Sequence, residues 1–227
     1  MKKIFSFSLL VVLVLAFSAH ARSSDNAKEV PRFYSEFKPV IGGWSEYRVN
    51  KPGETPYKVK LSIVGKEDQA YWYETVIEAD SGLLITKVLA TGDPNNDKNV
   101  KRIIEKYGDE PATEMPIVVA GQSAESLAPI RKVINKGMEN ITVPAGTFQA
   151  QHLQYQEGEE RVDTWVSDKV SPYDLVKSQS KDMEMVLLRY GTGAKSLITE
   201  KPEELKIQKN QQEIPQDMAP IKNLNKY

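Results

Sequence analysis

Residues Glu139–Asp168 read ENITVPAGTFQAQHLQYQEGEERVDTWVSD, and this stretch decides the fold class. Val143, Pro144, Ala145, Gly146 and Thr147 spell a tight reversal between two runs of strand-forming residues. Proline presets φ near about −65°, which suits Pro144 to the first corner of a type I turn and leaves Ala145 for the second. Gly146 can then take the positive φ that closes a three-residue hairpin with a bulge. Thr147 and Phe148 begin the return strand. Strand side chains alternate, so a turn that fixes register also fixes which face meets the core. A single glycine among Pro, Ala and Thr, with no helix after it, makes a poor phosphate cradle. The turn is architectural.

A second reversal follows at Glu157-Gly158. As a two-residue loop it sets Gln156 opposite Glu159, His152 opposite Asp163 and Ala150 opposite Trp165. A three-residue loop slips the pairing by one and separates His152 from Asp163.

Upstream, from Gly42, the pattern is mostly period two: GGWSEYRVN, YKVKLSIVG, QAYWYETVIE and GLLITKVLA. In the second run Tyr57, Val59, Leu61 and Ile63 share one face, while Lys58, Lys60 and Ser62 share the other. That alternation marks a half-buried antiparallel strand. Turn residues at Lys51-Pro52-Gly53, at residues 65–68 and at Asp80-Ser81-Gly82 separate the runs, which gives a four-stranded meander. TGDPNNDKNV is a loop. NVKRIIEKYG predicts a short helix over 99–107, with Val100, Ile103, Ile104 and Tyr107 at helical spacing. Asn99 or Asp97 would cap it and Gly108 would end it. IVVAG is too short to type, and SAESLAPIRKV is a helical turn or a connector. Downstream of the hairpin, EERVDTWVSD, DLVKSQS and EMVLLRYG read as further strands. Residues 200–227 are rich in Gln, Lys and Glu without an apolar stripe. They read as a polar, mobile tail, with a short docked helix at PEELKIQKNQQ as the alternative.

The chain of 227 residues opens MKKIFSFSLLVVLVLAFSAHARSS. Two lysines, an apolar run over residues 9–17 and the small-x-small site Ala19-His20-Ala21 form a secretory signal peptide over 1–21. The run is shorter than the roughly 20 residues that span a bilayer. The expected product starts near Arg22, is periplasmic, carries one β-rich domain over 22–199 and is not an integral membrane protein. Cysteine is absent. That removes disulfides, thiolate metal sites and cysteine nucleophiles, and with them the acylation point of a bacterial lipoprotein, so no lipid anchor is expected. With 30 basic and 31 acidic residues the net charge is −1, which argues against a nucleic-acid partner.

Downstream of the signal segment His152 is the only histidine. Its neighbours QAQHLQYQ offer no nucleophile elbow, so it reads as a structural polar pair rather than a catalytic base. One histidine and no cysteine leave no metal-ligand set, and DPNND lacks the central glycine and terminal glutamate of a calcium loop. No metal or cofactor is expected. Glu46, Glu74, Glu78 and Asp163 lie on strands and could pair, which keeps a hydrolase using paired acids as a minor alternative. AYWYE sends Tyr71 and Tyr73 one way and Trp72 the other. Cross-strand packing explains this, and an aromatic-lined cavity or sugar platform is the functional alternative. Asn140-Ile141-Thr142 matches a glycosylation acceptor only incidentally.

The segment from about Asn135 to Ile198 contains ITVPAGTFQAQHLQY, DTWVSDKVSPYDLVKSQS and MVLLRYGTGAKSLI. It resembles a group of uncharacterised exported bacterial proteins with an I-x-V-P-A-G-T-F hairpin followed by W-V-S-x-x-V-P-x-G-L-V-K. That group is distantly similar to the LolA/LolB-like superfamily of periplasmic lipoprotein carriers. Pro144, Gly146, Trp165 and Lys177 match as motif positions without a carried role, whereas Ser171, Tyr173 and Asp174 stand where small residues or glycine are usual. The resemblance implies a mainly β fold: a single curved antiparallel sheet, or incomplete β-barrel, with one or two short helices over its concave face. It also implies non-catalytic binding of an apolar molecule such as a lipid or acyl chain. The expected cavity lies between Tyr57, Val59, Leu61 and Ile63 on the sheet and Ile103, Ile104 and Tyr107 on the 99–107 helix. The rival is an interaction module that binds an envelope protein.

Overall fold

The computed structural model describes residues 35–79, 82–117, 132–157 and 160–204. The expected signal peptide over 1–21, residues 118–131 of the connector and the expected tail beyond 204 lie outside them.

The first strand, β1 (Trp44–Asn50), is followed by β2 (Tyr57–Glu67), β3 (Ala70–Ala79) and β4 (Gly82–Ala90), the expected meander. The chain continues with β5 (Val100–Tyr107), β6 (Thr113–Met115), β7 (Lys132–Val143) and β8 (Gly146–Glu157). It ends with β9 (Glu160–Val166), β10 (Leu175–Gln179), β11 (Glu184–Gly191) and β12 (Glu203–Glu204). All twelve form one curved, open sheet in the order β12-β6-β5-β4-β3-β2-β1-β11-β10-β9-β8-β7. Every pairing is antiparallel except β12 with β6. The mainly β fold of a single curved sheet is as expected.

The helix over 99–107 is not formed. Among the described residues the helical element is one 3-10 turn, Asp97–Asn99, and residues 100–107 are β5. Apolar positions 100, 103, 104 and 107 fit a helical stripe, but they also fit a strand that is apolar on both faces near its middle. The free edge of β4 decides between them. Its N–H and C=O groups need partners, and β5 supplies them from Leu84↔Tyr107 to Ala90↔Val100. Valine, isoleucine and tyrosine also favour strand over helix.

The opening turn is a two-residue corner with no register shift, in place of the expected three-residue hairpin with a bulge. Val143 pairs with Gly146 and Thr142 with Thr147, so Pro144 and Ala145 occupy the corner. Gly146 has φ +126°, a value that L side chains rarely adopt. Beyond the short β10, the free edge of β11 receives the hairpin tip: the Ala145 N–H donates to the Leu187 C=O at 3.3 Å.

Strand alternation gives the sheet an apolar inner face and a charged outer face. On the inner face Tyr47, Val59, Leu61, Ile63, Met185 and Leu187 are completely buried. Each contributes about 1.5–3 kcal/mol through burial. On the outer face cross-strand ion pairs run across the sheet, among them Lys58–Glu78 at 2.9 Å, Arg102–Glu114 at 2.8 Å and Arg189–Glu46 at 2.6 Å.

Part of the outer face is covered by the chain itself. After β11, Thr192–Lys201 crosses β3 to β6 and leads into β12. Ile198 is buried there with Val76, Ile85, Ile104 and Ala112 in a second core. Buried Glu74 holds this strap, accepting from the Ser196 hydroxyl at 2.6 Å and from the Leu197 N–H at 3.1 Å. The Glu203 N–H then donates to Ala112 C=O at 2.8 Å. Residues 200–204 of the expected tail are therefore docked on β6.

Candidate ligand-binding face

The strand registers line up the inner-face residues of β2 to β6 in three parallel rows. The first is Ile63, Tyr73, Val88, Ile103 and Met115. The third is Val59, Ile77, Leu84 and Tyr107. Between them runs Leu61, Thr75, Thr86, Glu105 and Thr113, a row that turns polar after its first member. Tyr57 lies one step beyond the third row. The β2 end of all three rows is sealed, whereas Leu84, Val88, Ile103, Tyr107 and Met115 are only half-buried.

Of the seven residues expected to line a cavity, Tyr57, Val59, Leu61, Ile63, Ile103 and Tyr107 share this face. Ile104 does not. As a strand residue between Ile103 and Glu105 it points outward and packs in the second core. The helical stripe is thus split between two faces. A shallow depression at the β4–β5 end involves Gly82, Leu83, Tyr107 and Gly108, and a second lies on the charged face at Lys58, Lys60, Glu78 and Leu197.

Aromatic residues close the β2–β3 part of the inner face. Phe37 meets Tyr73 edge-on at 6.1 Å and Tyr173 at 5.3 Å. Tyr173, which departs from the resemblance pattern, anchors its corner. Its hydroxyl donates to Asp93 at 3.0 Å and accepts from Asn95 at 2.8 Å. Burial, reinforced by Tyr73 and Asp93, pushes this phenol well up, so it stays a donor. Asp93 and Asn95 of the DPNND loop thereby clamp this corner.

Glu105 was not singled out from the sequence. Its carboxylate sits alone in the body of the inner face, cross-strand from Thr86 and Thr113. Burial holds it above the usual carboxylate range. Among the described residues it has no ion-pair or hydrogen-bond partner. The neighbouring cations Arg102 and Lys106 point to the outer face, committed to Glu114 and Glu200. A period-two reading of RIIEKY would have placed Glu105 between Ile103 and Tyr107.

The other candidate constellations are on the outer face and have internal partners. Glu157 pairs with Glu160, and the register sets Gln156 opposite Arg161 and His152 opposite Trp165. That is two residues from the expected register, so face parity is kept and Asp163 is a diagonal neighbour. His152 Nε2 lies 2.7 Å from Asp163 Oδ1, and Nδ1 lies 3.3 Å from Glu139 Oε1. The imidazole stacks on Trp165 at 4.5 Å, and the indole N–H donates to Glu139. Glu46, Glu74, Glu78 and Asp163 do not pair with one another: their partners are Arg189, the strap, Lys58, and His152 with Gln154. All three tryptophans face outward, and each carries a cation over its ring: Lys60 on Trp44, Lys87 on Trp72 and Lys177 on Trp165. A sugar would have to displace a cation to stack there. No cluster of three metal-binding side chains occurs among the described residues, and no described helix is long and apolar enough to cross a membrane.

No protein-family model matches the sequence, and no curated protein matches it. Among solved structures the fold is similar to MucB in complex with MucA(peri), at 12% identity, TM-score 0.42, 70% of this chain and 53% of that one. MucB alone matches at 12% identity, TM-score 0.40, 68% and 55%. The chain thus spans about half the length of MucB. A "putative lipoprotein" from Parabacteroides distasonis ATCC 8503 matches at 13% identity, TM-score 0.36, 69% of this chain and 99% of that one. Similarities this distant carry no residue or role across.

Proposed function

We propose that the protein is a non-catalytic, exported binding protein whose inner sheet face holds an apolar ligand such as a lipid or acyl chain. The observation that carries this reading is the half-buried apolar surface of β4 to β6, which continues a sealed floor without a charged residue except Glu105. Tyr57, Val59, Leu61 and Ile63 form the floor, and Ile103 and Tyr107 belong to the accessible limb. Each methylene of a ligand moved from water onto it contributes about 0.8 kcal/mol. Export to the periplasm rests on the sequence of residues 1–21.

Binding of a neutral fluorescent fatty alcohol tests the reading. Ile103→Glu places a charge in the half-buried limb and weakens binding strongly, whereas Lys101→Glu, at an exposed bulge on the same strand, leaves it nearly unchanged. Absence of binding to the wild-type protein at micromolar concentration refutes the proposal.

One observation favours a second reading, an interaction module. β7 is a twelve-residue edge strand with β8 as its neighbour, and it exposes Val133 and Met138. Such an edge is a template for strand addition by a partner. Its bulge between Asn135 and Gly137 and the exposed Lys132 and Lys136 weaken that template.

A further inference from the structure

We infer that the inner face selects a primary alkylammonium amphiphile, with its ammonium on Glu105, Thr86 and Thr113 and its hydrocarbon along the flanking apolar rows. This deepens the apolar-ligand reading and rests on it. The three polar residues are consecutive partners across β4, β5 and β6. Neighbouring strands are about 4.8 Å apart, so a small head group reaches more than one of them. An ammonium has three N–H donors and no acceptor. The row offers one carboxylate and two hydroxyl oxygens, a matched set.

The charge argument is independent of that match. The cross-strand ion pairs of β1 to β6 lie on the outer face, and among the described residues Glu105 is left on the apolar side without a counter-ion. The cost of burying its charge, visible in its raised pKa, is offset once a ligand cation arrives. The rows of Val88, Ile103 and Met115 and of Leu84 and Tyr107 lie two residues to either side along each strand, about 7 Å away. A chain attached to the head group can follow either row without burying a polar atom. A fatty-acid carboxylate would instead meet Glu105 with like charge.

The test is calorimetry on the purified full chain with three probes of equal length below their micellar concentrations: dodecylammonium, dodecanol and dodecyltrimethylammonium. Dodecylammonium should bind the wild-type protein about tenfold more tightly than dodecanol, the increment of a partly buried charge-assisted hydrogen bond. The trimethyl compound, which has the charge but no N–H donor, should fall between them. In Glu105→Gln the preference for dodecylammonium should disappear while dodecanol binding persists. Glu105 has no partner among the described residues, so this variant is expected to fold, and the wild-type series tests the inference without it. If dodecanol binds but dodecylammonium shows no preference, or if Glu105→Gln keeps that preference, the inference is overturned and the apolar-ligand reading stands. If none of the probes binds, both fall together.

Discussion

Replacing Gly146 isolates the energetic cost of one backbone dihedral. Gly146 closes the β7–β8 turn at φ +126°, and a Cβ built there would meet no atom within 4 Å. Steric clash is therefore removed from the account, and only the intrinsic strain of an L residue at that φ remains. Such strain costs about 1–3 kcal/mol, and a β-branched side chain sits at the upper end. Gly146→Ala should thus cost somewhat less than Gly146→Val. Asn usually relieves strain near φ of about +60°, so Gly146→Asn should give little relief at this more extended angle. For a domain of this size each kcal/mol lowers Tm by about 2–4 °C, so Gly146→Val should melt roughly 4–10 °C below wild type. Ala145→Ser, at the corner beside it, should be nearly silent. Urea and thermal unfolding followed by tryptophan fluorescence measure all four. If Gly146→Val unfolds at the wild-type midpoint, Gly146 is not held at positive φ and the register argument fails. If Asn alone rescues, the turn is an ordinary left-handed one.

Removing the Glu74 carboxylate in Glu74→Ala leaves the Leu197 N–H of the strap without its acceptor and turns the Ser196 hydroxyl to the Ile198 C=O, 2.9 Å away, at a cost of about 1–3 kcal/mol. Hydrogen exchange at the Leu197 and Glu203 amides should accelerate ahead of the β2 and β3 amides, and uniform exchange would show that the strap is not held by Glu74. Glu184 is held below its ordinary value of 4.5, first by the Lys177 ammonium and then by Asn50 and Arg48. A depressed folded pKa gives stability that is present above the unfolded pKa and lost as pH falls through the folded one. Lys177→Met should flatten that part of the acid decline and return Glu184 toward 4.5 in an NMR titration; parallel stability curves from neutral to acidic pH would refute the assignment.

The strand meander, the Gly146 hairpin and the polarity of the two faces were legible in the sequence because each depends on local information. Alternation over Tyr57–Ile63 has one structural reading, and Pro144-Ala145-Gly146 permits few backbone paths. Parity survived even where register did not: His152 and Asp163 share a face although their strands pair two residues away from expectation. Residues 100–107 were ambiguous because Val100, Ile103, Ile104 and Tyr107 satisfy both a helical and a two-sided strand pattern. No residue within that segment reports the unpaired edge of β4 beside it. Only the tertiary structure settled the choice, through backbone hydrogen bonds to a distant strand, and in doing so it moved Ile104 to the outer core and set Glu105 among apolar rows. The strap is a second case. Ser196 to Ile198 carries no periodic signal, and its place on Glu74 depends on two segments more than a hundred residues apart in sequence meeting across the sheet. Local composition specifies which residues seek burial and which turns the chain can make. Which strand covers an edge, and which carboxylate is set on the apolar face, follow from how the whole sheet is paired.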